Sequence, residues 1–493
     1  MSYGVRAWAV GLLLAAAPLA AQNLVARAAA RVQTASPGPL LTFNIVDWYA
    51  IQGPPPELRN VTIVDDGKRM PAAFCLPADT PEASAPLQPR EYSNRTIRSD
   101  SHTILVVLDL PTVAGRGLAW DDAADAIRKL GPRQRVFVYA IGSRGELYPI
   151  RAFPGAEGPP PPPADETDWT EGIPERIGRA VHEAGLERLE KIPSGIETRA
   201  RSALLALQDL ASYLAVQPGS KSLVWLSHAV PVGGAIADGN WHDYTSIVEQ
   251  FGTDLARAGI ALYAVDARRR AADGLAALDI LRQLAGITAG QWFAGSAIAE
   301  AIRQAVADTR YMYQVGYIPP PDRWDNRFHR LQVTAEIRGN LLRMRSPEGY
   351  FGDARRADPR QRSTLAAVGP ADDAGIGIRA AIAPSDRGQG WMHFEVRVNP
   401  GDLRLTNGDA STGAFRVSFA HYADAWQADS TAAIEAKLHL GPENRDNLLR
   451  DGVAVTFDRP LPSGARKMRI VVSDERSEAV GSLTIPLAAP SRP

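Results

Sequence analysis

The sequence predicts an α/β protein: a mostly parallel sheet with helices on both faces, preceded by a β-rich segment and followed by an antiparallel β-sandwich. Two observations carry this prediction. Between residues 101 and 308, nearly continuous apolar runs alternate with amphipathic helical patterns, as in a sheet buried on both faces. After residue 376, apolar and polar residues alternate, as in strands that bury only one face.

The composition is that of a globular protein with several domains. The chain has 493 residues, of which 45% are hydrophobic and 22% charged. At about 150 residues per domain, this length predicts two to four domains. The 54 basic and 55 acidic residues give a net charge of -1, so we expect no nucleic-acid partner. Cys75 is the single cysteine, which excludes an intrachain disulfide.

Residues 1–21 have the features of a secretory signal peptide. Arg6 precedes the apolar run 7–17, and Pro18 comes before small residues. This run is too short to cross about 30 Å of hydrocarbon comfortably. We therefore expect an exported protein, periplasmic or extracellular, with no membrane span in the mature chain. A retained membrane anchor stays an alternative.

Short β-like runs make residues 40–76 a β-rich N-terminal segment, with a hairpin signal at Asp66-Gly67. Residues 77–100 are rich in proline and are predicted to be a linker. The central domain is predicted over residues 101–351. Its buried strands are expected at 103–110, 135–141, 221–227 and 260–266, with helices at 123–130, 174–190, 198–215, 243–258, 274–285 and 296–308. Antiparallel strands are expected at 310–317, 328–337 and 341–345.

Residues 376–488 are predicted to form a β-sandwich of the immunoglobulin or fibronectin type. Met392, Phe394 and Val396 show the expected alternation, which later runs repeat. The exception is residues 430–438, where a helix is predicted. Residues 352–374 are polar and are predicted to be a linker.

Several segments resemble a known family. TILVVLDL at 103–110, SLVWLS at 222–227 and GIALYAVDARR at 259–269 are similar, in order and spacing, to the strands of a von Willebrand factor A domain. VGYIPPPDRWDNRFHRLQV with RSPEGYF, and VTIVDDGKRMPAAF upstream, resemble the VWFA-related domain of exported acidobacterial proteins. The resemblance covers about residues 40–351. It implies a vWA-like fold that presents loops at the carboxyl ends of its strands to a partner.

The metal site of that family is degenerate here. The family commonly carries Asp-x-Ser-x-Ser, whose oxygens suit Mg²⁺. The matching positions are Asp109, Pro111 and Val113, and His228 stands where a later loop usually supplies an aspartate. We therefore predict no metal and no cofactor.

Four residues at the predicted carboxyl ends of the strands are candidate ligand-binding residues: Asp109, Thr112, Ser227 and His228. Structural roles stay open for two of them. His228 could hydrogen-bond neighbouring backbone, and Asp109 could cap a loop.

The sequence contains none of the common catalytic motifs. Leu186 interrupts a possible HExxH motif, and no Gly-x-Ser-x-Gly elbow, Walker A loop or Gly-x-Gly-x-x-Gly loop occurs after a strand. We therefore predict a non-catalytic protein that binds a protein or peptide partner. The alternatives are a metal-dependent vWA adhesion module, a hydrolase or carbohydrate-active enzyme with an accessory β-sandwich, and a structural envelope protein.

Overall fold

The computed structural model describes residues in ranges between 41 and 487. These are 41–47, 58–77, 90–94, 102–110, 118–129, 135–153, 172–184, 196–215, 220–227, 233–235, 241–243, 245–266, 275–294, 297–356, 359–369, 372–373, 375–406, 411–423, 426–441, 444, 447–448, 451–477 and 479–487. The predicted signal peptide, residues 1–21, lies outside these ranges.

The described elements are 24 strands and seven α-helices. The strands are β1 (Leu41–Val46), β2 (Arg59–Asp65), β3 (Lys68–Pro71), β4 (Phe74–Pro77), β5 (Glu91–Ser93), β6 (Thr103–Asp109), β7 (Arg135–Ile141), β8 (Leu147–Arg151), β9 (Lys221–Ser227), β10 (Gly233–Ala235), β11 (Trp241–Asp243), β12 (Ile260–Asp266), β13 (Gln291–Phe293), β14 (Met312–Tyr317), β15 (Phe328–Ile337), β16 (Asn340–Arg343), β17 (Gly349–Phe351), β18 (Ile378–Pro384), β19 (Trp391–Val398), β20 (Ser411–Tyr422), β21 (Trp426–Leu440), β22 (Val453–Pro460), β23 (Lys467–Asp474) and β24 (Val480–Pro486). The helices are α1 (Leu118–Arg128), α2 (Ile173–Glu183), α3 (Ile196–Ala215), α4 (Thr245–Arg257), α5 (Leu275–Ile287), α6 (Ile298–Asp308) and α7 (Pro359–Val368).

The central sheet has six strands in the order β13-β12-β9-β6-β7-β8. Its neighbouring strands are parallel except β7 and β8, which are antiparallel. Side chains alternate between two cores, so Ile104 of β6 packs with α1, α2 and α6, whereas Leu105 packs with α3, α4 and α5. Burial on both faces explains why these strands are apolar along their whole length.

The N-terminal strands pair with strands more than 200 residues later. Strands β1 and β4 flank β14, and β2 pairs with β15 next to β16 and β17, all antiparallel. Thr42 and Asn44 of β1 also hydrogen-bond the backbone carbonyls of Arg257 and Gly259, which fixes this layer against the end of α4. The β-rich segment and the strands after residue 310 therefore share one core.

Residues after 375, together with strand β5, form two four-stranded antiparallel sheets, β22-β19-β18-β5 and β21-β20-β23-β24. Alternate side chains of both sheets join one apolar core. Strand β5 belongs to the stretch predicted as a linker, and helix α7 lies within the other predicted linker. The helix predicted over 430–438 is wrong: these residues lie in β21, where Ile434 and Leu438 alternate with Glu435 and Lys437 and pair with β20.

The predicted fold class, an α/β vWA-like protein built on a mostly parallel sheet, is wrong. The described part of the chain is mostly β, with 46% of its residues in strands and 29% in helices. In the described part of the chain, five sheets are antiparallel and one is mixed. The alternation of strands and helices over residues 101–308 predicted one sheet correctly as mostly parallel, but most strands lie before and after that region and pair antiparallel. No helix among the described residues is both long and apolar enough to cross a membrane.

Buried ion pairs join the C-terminal sheets to the helices of the mixed sheet. Arg257 of α4 contacts Asp373 at 2.9 Å, and Lys467 of β23 contacts Asp209 of α3. Because a buried charge is stable only with a partner, these two contacts hold the two layers together. A third pair lies within the C-terminal part: Arg469, which is fully buried in β23, lies 3.2 Å from Asp372.

Candidate functional site

Three polar residues lie side by side where adjacent parallel strands end. Asp109 ends β6, Ser227 ends β9 and Asp266 ends β12. Ser227 Oγ donates a hydrogen bond to Asp109 Oδ2 at 2.8 Å, and Asp266 is the register partner of Ser227. All three side chains are at most 3% exposed. The carboxyl edge of the sheet therefore carries a buried polar row, which we call the sheet-edge row.

The sheet-edge row lies at a topological switch point, where the chain continues to opposite sides of one strand. From β6 the chain continues to β7 on one side, and it later returns to β9 on the other side of β6. In open sheets, the crevice at such a point is where ligands bind. The bond between Ser227 and Asp109 joins the two strands that border this switch.

The structure brings together two of the four residues predicted for the site. Asp109 and Ser227 are 118 residues apart in sequence and in direct contact in the fold. Thr112 and His228 lie outside the described residues. Asp266 was not among the candidates, although its place at the end of a third buried apolar strand was a usable signal.

A second polar group lies on β2, β15 and the turns beside them. Asp66 Oδ2 lies 2.8 Å from Nδ1 of His329, and Asp325 Oδ1 lies 3.0 Å from Nε2 of the same ring. The backbone N–H of Arg330 donates to Asp66 Oδ1 at 2.8 Å. Together with Asp65, we call Asp66, Asp325 and His329 the histidine–carboxylate cluster.

Asp65 is the most buried carboxylate of the cluster, with 1% exposure. Its Oδ2 accepts hydrogen bonds from the hydroxyls of Tyr317, at 2.6 Å, and Tyr350, at 3.0 Å. Its Oδ1 has no hydrogen-bond partner among the described residues. Arg323 lies nearby, with Nε 3.6 Å from Asp65 Oδ2 and one terminal nitrogen 3.4 Å from Asp66 Oδ2.

The electrostatics keep both carboxylates around the histidine ionised. Burial opposes ionisation of Asp66, but hydrogen bonds from His329 and Arg330 outweigh it and lower its pKa. The pKa of Asp325 is lowered in the same way, with His329 the main contact opposing burial. Burial raises the pKa of the Tyr317 and Tyr350 hydroxyls, and the neighbouring carboxylate of Asp65 raises it further. Both hydroxyls therefore stay protonated and donate their hydrogen bonds to Asp65.

Sequence reasoning missed this cluster because its parts are far apart in the chain. Asp66 and His329 are 263 residues apart, and Asp66-Gly67 was interpreted only as a turn. That turn exists: both residues have positive φ, 44° and 85°. The available signal was that Asp65, His329 and Tyr350 all fall in segments that carry the family resemblance.

Comparisons with known proteins identify no family for this chain. No protein-family model matches it, and no curated protein matches it. Among solved structures, one similarity is to a DUF3823 family protein from Bacteroides ovatus, at 11% identity and a TM-score of 0.14. That match covers 36% of this chain and 82% of the other.

Proposed function

We propose that this chain is an exported, non-catalytic protein that binds a protein or peptide partner at the carboxyl edge of the mixed sheet. The observation that carries the proposal is the bond between Ser227 and Asp109 at the switch in strand order. It holds the ends of β6 and β9 together where the chain leaves the sheet on each side. Export rests on the signal-peptide pattern of residues 1–21.

The chemistry of the sheet-edge row favours binding over catalysis. A nucleophilic serine needs a neighbouring base that takes its proton, most often a histidine. The Ser227 hydroxyl instead donates to the carboxylate of Asp109, which is a weak base. Pro111 and Val113, which follow Asp109, also lack side-chain oxygens for a metal. Recognition would therefore depend on the shape and polarity of the segments that leave this edge.

A peptide-display selection on the mature protein tests this proposal. Enriched peptides are measured against the wild type, Asp109→Asn, and Thr112→Ala combined with His228→Ala. We expect each of these variants to bind the enriched peptides about tenfold more weakly than the wild type, equivalent to about 1.4 kcal/mol. Ser246→Ala, at an exposed serine of α4, is the matched control and should bind as the wild type does.

Two outcomes would contradict the proposal: no peptide is enriched, or enriched peptides bind the Asp109→Asn variant as tightly as the wild type. Because Asp109 is buried, unfolding of each variant is measured in parallel by circular dichroism. Only variants that keep the wild-type transition are used for the binding comparison.

A further inference from the structure

We propose that Asp65, Asp66 and His329 form a binding site for a divalent transition-metal ion such as Zn²⁺. One carboxylate oxygen from each aspartate and one ring nitrogen of the histidine lie within 4.8 Å of one another. The site is distinct from the sheet-edge row, and it does not depend on the function proposed above.

In each of the three residues a neighbour holds one atom and so orients the other. Tyr317 and Tyr350 donate to Oδ2 of Asp65, and its Oδ1 has no hydrogen-bond partner among the described residues. The backbone N–H of Arg330 donates to Oδ1 of Asp66, whose Oδ2 lies 2.8 Å from His329 Nδ1, and a metal ion bound to both atoms would replace the proton between them. Protein metal sites have this arrangement, in which outer hydrogen bonds orient each ligand.

The histidine is oriented as a metal ligand is. Metal-binding histidines usually donate the N–H of one ring nitrogen to a carboxylate and bind the metal through the other. Asp325 Oδ1 lies 3.0 Å from Nε2 of His329, which leaves Nδ1 beside Asp66 Oδ2, at 2.8 Å. Asp325 is therefore the orienting carboxylate, and Nδ1 is the ligand atom.

The unpartnered oxygen of Asp65 is a second, independent observation that favours a cation site here. The Asp65 side chain is 1% exposed, and its Oδ1 has no hydrogen-bond partner among the described residues. A buried carboxylate oxygen without a partner is costly. Arg323 does not remove this cost, because its Nε also lacks a hydrogen-bond partner and its nearest approach to Asp65 is 3.6 Å, to the other oxygen.

Charge and ligand type favour a divalent transition metal. With a neutral imidazole, the three carboxylates of the cluster outnumber the two guanidinium groups beside them, those of Arg323 and of the exposed Arg327, whose Nε lies 3.9 Å from Asp325 Oδ2. The cluster therefore keeps a net negative charge, which favours binding of a cation. One nitrogen and two oxygens suit Zn²⁺ or Mn²⁺ better than Ca²⁺ or Mg²⁺, which prefer oxygen alone. Asp66 is 34% exposed, so the ion can enter from solvent on its side.

Calorimetric titration of the chelator-treated mature protein with Zn²⁺ tests the site. We expect saturable binding of one ion per chain, weakened about 10–100-fold or more by His329→Gln or Asp66→Asn. His393→Gln is the matched control, because His393 pairs with Asp458 at 3.1 Å but belongs to no group of three candidate ligands among the described residues. It should bind zinc as the wild type does.

A second measurement on the wild type does not depend on the folding of any variant. The ring nitrogen resonances of His329, followed by NMR, should shift when Zn²⁺ is added, while those of His393 stay unchanged. Absence of saturable binding would overturn the proposal, as would binding that the His329→Gln and Asp66→Asn variants retain in full. Zinc binding that leaves the His329 resonances unchanged would overturn it as well.

Discussion

His102 couples the stability of the mixed sheet to pH. It precedes β6 and is 9% exposed, with Nδ1 3.0 Å from Ser220 Oγ and Nε2 without a partner among the described residues. Burial lowers the pKa of His102 from 6.5 to about 3, against the opposing effect of its contact with Ser220. The folded chain therefore holds this imidazole neutral at pH values where the unfolded chain protonates it.

The size of the effect follows from proton linkage. Between pH 6.5 and about 3, the unfolded chain carries one more proton at this position than the folded chain. The free energy of unfolding therefore falls as the pH is lowered, by about 1.4 kcal/mol per pH unit within this window. From pH 7 to pH 5, His102 alone should remove about 2 kcal/mol of stability.

The assay compares urea unfolding of the wild type and His102→Asn at pH 7 and pH 5, followed by circular dichroism. The amide keeps a polar side chain but does not titrate, so the variant should lose about 2 kcal/mol less than the wild type over this pH range. His439→Gln, at an exposed histidine of β21, is the matched control and should keep the wild-type pH dependence.

A His102→Asn variant that lost as much stability between pH 7 and pH 5 as the wild type would contradict this prediction. The prediction would also be refuted if NMR titration of the folded wild type showed His102 protonating near pH 6.5. Either result would mean that solvent reaches the ring in the folded protein.

Three further substitutions test a buried ion pair and the packing of the glycines. Arg469→Met should destabilise the protein by about 3–5 kcal/mol in thermal or urea unfolding, because it leaves the buried carboxylate of Asp372 without the guanidinium of Arg469. A loss below about 1 kcal/mol, which is typical of an ion pair exposed to solvent, would contradict this prediction. Gly290→Ala should destabilise by about 1–3 kcal/mol or more, since its Cβ would lie 1.9 Å from the carbonyl oxygen of Leu262. Gly178→Ala in α2 meets no atom within 4 Å and should stabilise by up to about 1 kcal/mol, so equal effects at both glycines would refute the packing argument.

The parts of the fold that could be predicted from sequence are those that local pattern determines. The buried strands β7, β9 and β12 have the predicted ends, because a run of apolar residues bounded by polar ones leaves little choice of register. The predicted strands β6 and β9 placed Asp109 and Ser227 at one edge, where the structure joins them. Strand β21 was missed because residues 430–438 were interpreted as helical, although Ile434, Ala436, Leu438 and Leu440 follow the period of two of a strand.

What local pattern could not supply is the partner of each strand. The sequence predicts that β2 forms a hairpin with β3, which it does. The other edge of β2 pairs with β15, and this pairing brings Asp66 into contact with His329. The local sequence around each residue does not indicate the other, because Asp66 lies in a turn and His329 lies in a strand in which polar residues alternate with apolar ones. The same long-range pairing placed the N-terminal strands in antiparallel sheets and made the predicted fold class wrong. The histidine–carboxylate cluster exists only because these segments pair, so a metal bound there would stabilise the contact that sequence reasoning could not predict.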